Sequence, residues 1–177
     1  MNGSANDRVR ADLLWIAADF REIIQSAKAD ELCLPSRGTR WTNRQLLFHL
    51  VLGQNIALSG IWLLGLFSRL PPSASRSWSR LLDACAGPYN RVNWAGSAAA
   101  GQVLKPQGMQ RMMDRTTRTI VGWYDRADKE ALRRGMSMPA SWDPYFAAWM
   151  DRRAIFEWAP KHYRHHRAQL TLTTLPS

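Results

Sequence analysis

Towards its C-terminus the chain reads His162-Tyr163-Arg164-His165-His166. On an α-helix, residues that are four apart lie one turn above each other on the same face. This spacing places His162 beside His166, and two imidazoles so arranged can bind one metal ion from the same side. The chain contains four histidines, and the remaining one is His49, far upstream in a long apolar segment. This use of histidine indicates a metal site.

The apolar residues of the chain recur at helical spacing. Their periodicity predicts long helices over about residues 6–32, 42–68, 106–127 and 151–171, and a short helix over about 128–134. Four long helices favour an all-α fold, a four-helix bundle in a single domain that spans residues 1–177. The sequence shows no internal repeat and no low-complexity tract.

Residues 71–105 separate the second long helix from the third and are rich in proline, serine and glycine. Such residues favour turns, so we predict a long connection here that contains one short helix over about residues 77–84. Trp78, Tyr89 and Trp94 make this connection unusually aromatic, which indicates that it packs on the helices. Long connections often cover a site, and we expect this one to shape a pocket.

A capping box begins the second helix, with Thr42 as the N-cap and Gln45 three residues later. On this helix His49 shares the core-facing stripe with Leu46 and Leu50. Gln45, four residues before His49, is a candidate hydrogen-bond partner of its imidazole, the alternative being an ordinary cap residue.

The last predicted helix carries His162, His166 and Gln169 on one face. Gln169 is therefore a second candidate partner of the ligands, the alternative being an ordinary buried amide. Pro160 lies just before the pair, and because proline lacks a backbone N–H we expect it to interrupt and kink the helix there. Read alone, the pair also fits a basic helix end, since cations suit a helix C-terminus.

The composition is that of a basic globular chain. Of the 177 residues, 46% are hydrophobic, and the formal net charge is +10. Such a charge suits nucleic acid, anionic lipid or an acidic small molecule. The basic residues are scattered and no nucleic-acid-binding motif occurs, which favours a solvated basic surface. Cys33 and Cys85 form no CxxC pair, so neither a disulfide framework nor a zinc–cysteine site is predicted.

The second helix contains no charged residue between Arg44 and Arg69, a length sufficient to span a membrane. Its polar residues, which include His49, Gln54 and Asn55, would be costly in lipid unless they faced protein. We therefore expect a helix that is buried on most sides or that lies in the interface of a homodimer. The polar first residues do not resemble a signal peptide, which favours a cytoplasmic protein.

Two stretches resemble the motifs of a known family. The chain reads Trp41-Thr42-Asn43-Arg44-Gln45-Leu46-Leu47-Phe48-His49-Leu50, which is similar to the start of the second helix in the DinB/YfiT-like family. It also reads His162-Tyr163-Arg164-His165-His166-Arg167-Ala168-Gln169-Leu170, which is similar to that family's C-terminal H-x-x-H-H-x-x-Q-L signature. The order and separation of the two stretches fit as well, so the resemblance spans nearly the whole chain.

The resemblance implies a four-helix bundle, commonly dimeric, in which His49, His162 and His166 hold a divalent metal ion. His165 matches a frequent histidine of the family that is not usually a ligand. The resemblance also implies chemistry, because some members transfer low-molecular-weight thiols such as mycothiol, bacillithiol or glutathione, or use them in isomerisation.

Three neutral imidazoles leave a divalent ion with at least one open position, which is the pattern of catalytic sites. A thiol or water bound there loses its proton more easily, so thiol transfer to a small-molecule substrate, such as an acidic one, and hydrolysis both stay open. Zinc, nickel and iron(II) all accept imidazole. The sequence indicates no further catalytic residue, and a basic binding module for anionic ligands or nucleic acid without catalysis is the third option.

Overall fold

The computed structural model describes residues 3–173 and the side chains of residues 7–173. Residues 1–2 and 174–177, which the single-domain prediction includes, lie outside this range. Within it the chain is mostly helical, as predicted. In chain order the elements are α1 (Gly3–Ser26), α2 (Asn43–Phe67), α3 (Pro72–Ala84), α4 (Ala86–Val103), α5 (Pro106–Arg126), α6 (Lys129–Arg133), β1 (Gly135–Ser137), β2 (Trp149–Asp151) and α7 (Arg152–Arg167).

The four longest predicted helices correspond to α1, α2, α5 and α7, which pack around the core. Helix α1 lies against α5 and α7, and α2 lies against the same two helices. Helix α1 buries one apolar stripe with helical spacing, since Leu13, Ile16, Phe20 and Ile23 have no exposed surface. Full burial of each such side chain contributes about 1.5–3 kcal/mol, so this stripe holds α1 against its neighbours.

The predicted capping box begins α2. The Thr42 side chain accepts a hydrogen bond from the Gln45 backbone N–H, and the Gln45 side chain accepts one from the Thr42 backbone N–H. Two N–H groups that would otherwise lack partners are thereby satisfied. The box fixes the start of α2 and with it the position of His49, which follows less than two turns later.

Helix α2 is the one helix in residues 3–173 that is long and apolar enough to cross a membrane by length and composition. It is contacted by α4, α5 and α7. Two of its polar side chains contact α5: Gln54 donates to the Thr117 hydroxyl at 3.1 Å, and Asn55 accepts from the Thr116 hydroxyl at 3.1 Å. Only 39% of its most apolar window is buried, and Trp62 and Leu66 are exposed, so the expectation of a helix buried on most sides is not met.

The long connection predicted over residues 71–105 is wrong, because this region forms helices α3 and α4. Pro72 lies at the start of α3 and Pro88 in the first turn of α4, where a missing N–H breaks no helical hydrogen bond. The small residues that resemble a linker serve packing instead. A Cβ on Gly101 would lie 2.6 Å from Cα of Gln45, so its absence lets α4 approach the start of α2.

Helix α1 is shorter than predicted. It ends at Ser26 rather than near residue 32. The Glu31 carboxylate accepts a hydrogen bond from the Lys28 backbone N–H at 3.1 Å, and a short 3₁₀ helix follows at Glu31–Cys33. This local side-chain bond competes with the helical pattern and turns the chain towards α2.

Helix α7 carries the histidine pair. Asp151 caps its start by accepting a hydrogen bond from the Ala154 backbone N–H at 2.7 Å. The predicted interruption at Pro160 is wrong, because the helix continues through this residue and ends at Arg167. Both histidines therefore lie on one unbroken helix.

A short antiparallel hairpin, which makes the fold not purely helical, joins α6 to α7. Strand β1 pairs with β2, with Met136 opposite Met150. Strands of three residues are too short to show an alternating pattern in the sequence. A Cβ on Gly135 would lie 2.1 Å from Cζ2 of Trp149, so the glycine leaves the space that this indole fills.

Candidate metal centre

Three histidines from two helices meet at one point. His49 on α2 and His162 and His166 on α7 each bring one ring nitrogen within 4.8 Å of the others. The Nε2 atoms of His49 and His166 are 3.2 Å apart. The structure thus brings together the three residues that the sequence predicted. His165 is not part of this cluster. The Nδ1 atom of its ring lies 3.1 Å from the Tyr145 hydroxyl instead.

Both imidazoles of α7 are held by a hydrogen bond on the side away from the cluster. Nδ1 of His162 lies 2.9 Å from Oδ2 of Asp143, and Nδ1 of His166 lies 2.8 Å from Oε1 of Gln169. A carboxylate or amide oxygen only accepts, so each Nδ1 donates. A neutral ring that donates from Nδ1 carries on Nε2 the lone pair that a metal ion requires. The predicted contact of Gln169 with a candidate ligand is confirmed, since Gln169 accepts a hydrogen bond from His166.

The partner predicted for His49 is wrong. Gln45 closes the capping box with Thr42 and donates to the Ala98 carbonyl at 3.3 Å instead. The Nδ1 atom of His49 lies 3.4 Å from the hydroxyl of Ser97 on α4, a fully buried residue. No signal in the sequence indicated Ser97, because it lies in the region that resembles a connection.

The Nε2 atom of His162 is buried and has no hydrogen-bond partner. Buried polar atoms are nearly always paired, so this one requires an explanation. Helix α2 makes room for the ring, since a Cβ on Gly53 would lie 2.5 Å from Nε2 and Cδ2 of His162. A divalent ion between the three rings would pair this nitrogen. The arrangement therefore fits a metal ion held by three imidazoles.

Burial keeps two of the imidazoles neutral. It lowers the pKa of His49 to about 2, and the charges of His166 and His162 add to this effect. Burial, followed by repulsion from His162, lowers the pKa of His166 to about 4. At neutral pH these rings are therefore unprotonated, which is the form that binds a metal ion.

Asp143 is the residue of the site that the sequence analysis missed. It accepts hydrogen bonds from the His162 ring, from the Trp158 indole at 3.0 Å and from the Tyr145 backbone N–H at 2.8 Å. Burial alone would raise the pKa of this carboxyl, but the three hydrogen bonds outweigh it and hold the pKa below its ordinary value. In the sequence, Asp143-Pro144 indicates only a turn.

Helices α3 and α4 position the loop that carries this carboxylate. The Trp142 indole N–H donates to the Leu82 carbonyl at 2.8 Å. The Trp142 ring stacks on Tyr89, with the ring centroids 3.6 Å apart. The expectation that residues 71–105 shape the pocket agrees with these contacts, although the shaping is done by helices rather than by a loop.

A cavity of about 210 Å³ lies beside the histidines. The Trp41 ring stacks on His49 with centroids 4.5 Å apart, and the Trp158 ring lies 4.7 Å from His162. The volume is below the range usual for drug-sized ligands, which suits a small substrate. The described lining contains no lysine or arginine and consists of Trp41, His49, Ile56, Tyr89, Asn93, Trp142, Asp143, Pro144, Tyr145, Phe146, Trp158, His162, His165 and His166.

Residues 12–170 match the sequence model of the DinB superfamily. No curated protein and no solved structure matches the chain significantly. The family match covers nearly the whole chain and includes both histidine-bearing helices. The chain therefore belongs to the DinB superfamily.

Proposed function

We propose that this protein is a divalent-metal-dependent enzyme in which His49, His162 and His166 hold the ion. We further propose that it transfers a low-molecular-weight thiol to a small electrophilic substrate. The observation that carries the proposal is the buried Nε2 atom of His162, which lacks a partner and lies among the ring nitrogens of the other two histidines. Membership of the DinB superfamily supports the same conclusion.

A divalent ion on three neutral imidazoles keeps an open position and, as a Lewis acid, lowers the pKa of a thiol or water bound there. The protein contributes the orientation of the ligands. Asp143 and Gln169 fix the rings of His162 and His166, and such outer partners raise the basicity of a ligand as well as its order. Zinc, nickel and iron(II) suit this donor set.

The cavity beside the histidines supports a small substrate with a flat or apolar part. Trp41, Tyr89 and Trp142 line it together with all three candidate ligands. In the proposed transfer the thiol sulfur forms a bond with an electrophilic carbon, the leaving group departs with the bonding electron pair, and the thiol proton goes to solvent.

The metal-binding part of the proposal is tested by elemental analysis and thermal unfolding. Stripped protein that is reloaded with zinc, nickel or iron(II) should take up about one ion per chain. An ion at 100 times its Kd stabilises by about 2.7 kcal/mol, which raises the Tm of a domain of this size by roughly 5–10 °C. The variants His49→Ala, His162→Ala and His166→Ala should lose both effects.

The variant His165→Ala is the matched control, because this ring lies on the same helix and outside the cluster. It should bind the ion as the wild type does. If the three ligand variants retained stoichiometric metal, or if the wild type bound none and showed no change in Tm, the metal proposal would be wrong.

The thiol part is tested separately by the consumption of free thiol. Reloaded protein is incubated with glutathione, bacillithiol or mycothiol and a panel of small electrophiles, and thiol loss is followed with a chromogenic disulfide. We expect loss that requires the ion and disappears in His166→Ala. Metal binding without thiol loss, but with hydrolysis of small esters or amides, would instead assign a hydrolase to the same site.

A further inference from the structure

A second cavity, of about 490 Å³, lies beside the C-terminal half of α2. The C-terminal end of α5, the first residue of α7 and helix α6 complete its walls. It is separate from the metal centre. Gly65 in its lining follows His49 by 16 residues on the same helix, a distance of about 24 Å along the axis. The lining consists of Ile61, Trp62, Gly65, Leu66, Arg69, Trp123, Arg126, Ala127, Asp128, Ala131 and Arg152.

The cavity is basic. Three arginines line it, Arg69, Arg126 and Arg152, against a single carboxylate, Asp128. The Asp128 side chain accepts a hydrogen bond from the Ala131 backbone N–H at 2.7 Å, which caps α6. Among the ion pairs of the described residues, none involves any of these three arginines. The cavity therefore holds positive charge that no carboxylate of residues 7–173 neutralises by an ion pair.

Arg152 is the most constrained of the three. Its Nε atom is buried and has no hydrogen-bond partner. Its guanidinium lies against α2 at Gly65, where a Cβ would be 3.2 Å from Nη2. Burial, with repulsion from Arg134, lowers the pKa of Arg152. A partly desolvated cation that makes no ion pair is unfavourable, and an anion in the cavity would supply opposite charge and hydrogen-bond acceptors to the guanidinium.

The remaining wall is apolar and open to solvent. Trp62 is 60% exposed and Leu66 is 44% exposed, whereas Ile61 is buried beneath them. Trp123 adds a second indole from α5. Exposed apolar side chains that are grouped around a concave surface mark a binding site more often than scattered ones do.

We propose that this cavity binds a small organic anion whose carboxylate or phosphate group pairs with Arg152 and whose apolar body lies on Trp62 and Trp123. The guanidinium fork suits a planar carboxylate or a phosphate, because both accept two parallel hydrogen bonds. The site is distinct from the metal centre and does not depend on the function proposed for it.

The experiment is calorimetric titration of the full chain with 1-naphthoate, which combines a carboxylate with an aromatic body. We expect saturable binding at one site per chain. The variant Arg152→Met should weaken it by about 10-fold or more, which is the usual loss for a hydrogen bond to a charged group. Arg118→Met is the matched control, since Arg118 is exposed on α5 and lies outside the cavity lining.

Three further titrations separate the parts of the proposal. The uncharged 1-naphthamide should bind at least about 10-fold more weakly than 1-naphthoate. The variant Trp62→Ala should weaken 1-naphthoate but leave the binding of inorganic phosphate unchanged. The far-ultraviolet circular dichroism spectrum of Arg152→Met should equal that of the wild type, which shows that the variant is folded.

The proposal is overturned if 1-naphthoate does not bind, as would happen if a second copy of the chain covered Trp62. It is also overturned if the amide binds as tightly as the acid, or if Arg152→Met binds 1-naphthoate like the wild type. Equal weakening by Arg118→Met would mean that the net charge of the protein, and not this cavity, attracts the anion.

Discussion

At two of the places where α7 packs on α2, a polar side chain of α7 lies close against a glycine of α2. His162 lies against Gly53, and Arg152 lies against Gly65. The two places differ in what surrounds the incoming group. The Nδ1 atom of His162 is hydrogen-bonded to Asp143, whereas the Nε atom of Arg152 has no hydrogen-bond partner.

This difference shows what close packing does and does not achieve. A glycine brings a polar side chain of α7 up to the core helix, but it does not decide the chemistry of that side chain. The partners decide it: a carboxylate orients the His162 imidazole and leaves its Nε2 without a hydrogen-bond partner, whereas no ion pair holds the Arg152 guanidinium.

The largest effect is expected from Gly53→Ala. The added Cβ would lie 2.5 Å from the His162 ring, so the ring must leave its position. We expect zinc affinity to fall by 100-fold or more and the free energy of unfolding to fall by about 1–3 kcal/mol, as in other overpacked cores. Chelator competition and urea unfolding measure the two quantities.

Gly60→Ala is the control for this substitution. A Cβ there would lie 3.6 Å from Cγ2 of Ile155, an ordinary contact. Replacing a helical glycine by alanine without strain stabilises by about 0.5–1 kcal/mol. Unchanged zinc affinity in Gly53→Ala would show that the position of the His162 ring is irrelevant to the ion.

The second effect is the pH dependence of the metal-free protein. Folding lowers the pKa of His166 from 6.5 to about 4 and that of His49 from 6.5 to about 2, so the unfolded chain binds more protons below pH 6.5. The contribution of these two groups to the free energy of unfolding is therefore completely present above pH 6.5 and is lost as the pH drops towards 4. His166 alone accounts for a loss of about 3 kcal/mol over that interval.

Urea unfolding of metal-stripped protein between pH 7 and pH 4.5 measures this loss. Other carboxyl groups titrate in the lower part of the range, so the comparison with His166→Gln isolates the contribution of this imidazole. The variant should lose less stability than the wild type as the pH falls. Parallel curves for the two proteins would contradict the depressed pKa of His166.

The third effect is that of Asp143→Asn. The amide keeps the size of the side chain but removes the charge that His162 and the Trp158 indole contact. Loss of such an outer partner usually weakens metal binding by about 10–100-fold. Asp128→Asn is the control, because Asp128 caps α6 and lies away from the histidines. It should leave zinc affinity unchanged, since asparagine caps a helix nearly as well. Equal zinc affinity in both variants would exclude a role for Asp143.

The smallest effect is expected from Arg152→Met in the absence of any ligand. This change removes a cation that has no salt bridge and whose Nε atom is buried without a partner. We expect the free energy of unfolding to stay within about 0.5 kcal/mol of the wild type or to rise. A loss of 2 kcal/mol or more by urea unfolding would show that the guanidinium already has a stabilising partner within the protein.

The local parts of the fold and of the candidate site could be predicted from the sequence. The spacing of His162 and His166 and the Thr42–Gln45 capping box depend on residues within one or two helical turns, so the pattern suffices. The approach of His49 to this pair is not local, and its prediction depended on the resemblance to a family.

The parts that could not be predicted depend on contacts between distant segments. Ser97 reaches His49 because Gly101 lets α4 pack on α2, yet in the sequence both residues resemble a linker. Asp143 resembles a turn residue, and only the tertiary structure places it beside His162. In residues 71–105, where the sequence analysis predicted a connection, tertiary packing therefore overrode local composition.

The stacking of Trp142 on Tyr89 has a consequence for how this protein can diversify. The indole and the phenol form one wall of the cavity, yet neither belongs to the helices that carry the three histidines. Substitutions in α4 and in the 138–148 loop can therefore reshape the wall while the ligands keep their places. Relatives that share the histidine motifs are then free to accept different molecules, and similarity in those motifs alone is a poor guide to the substrate.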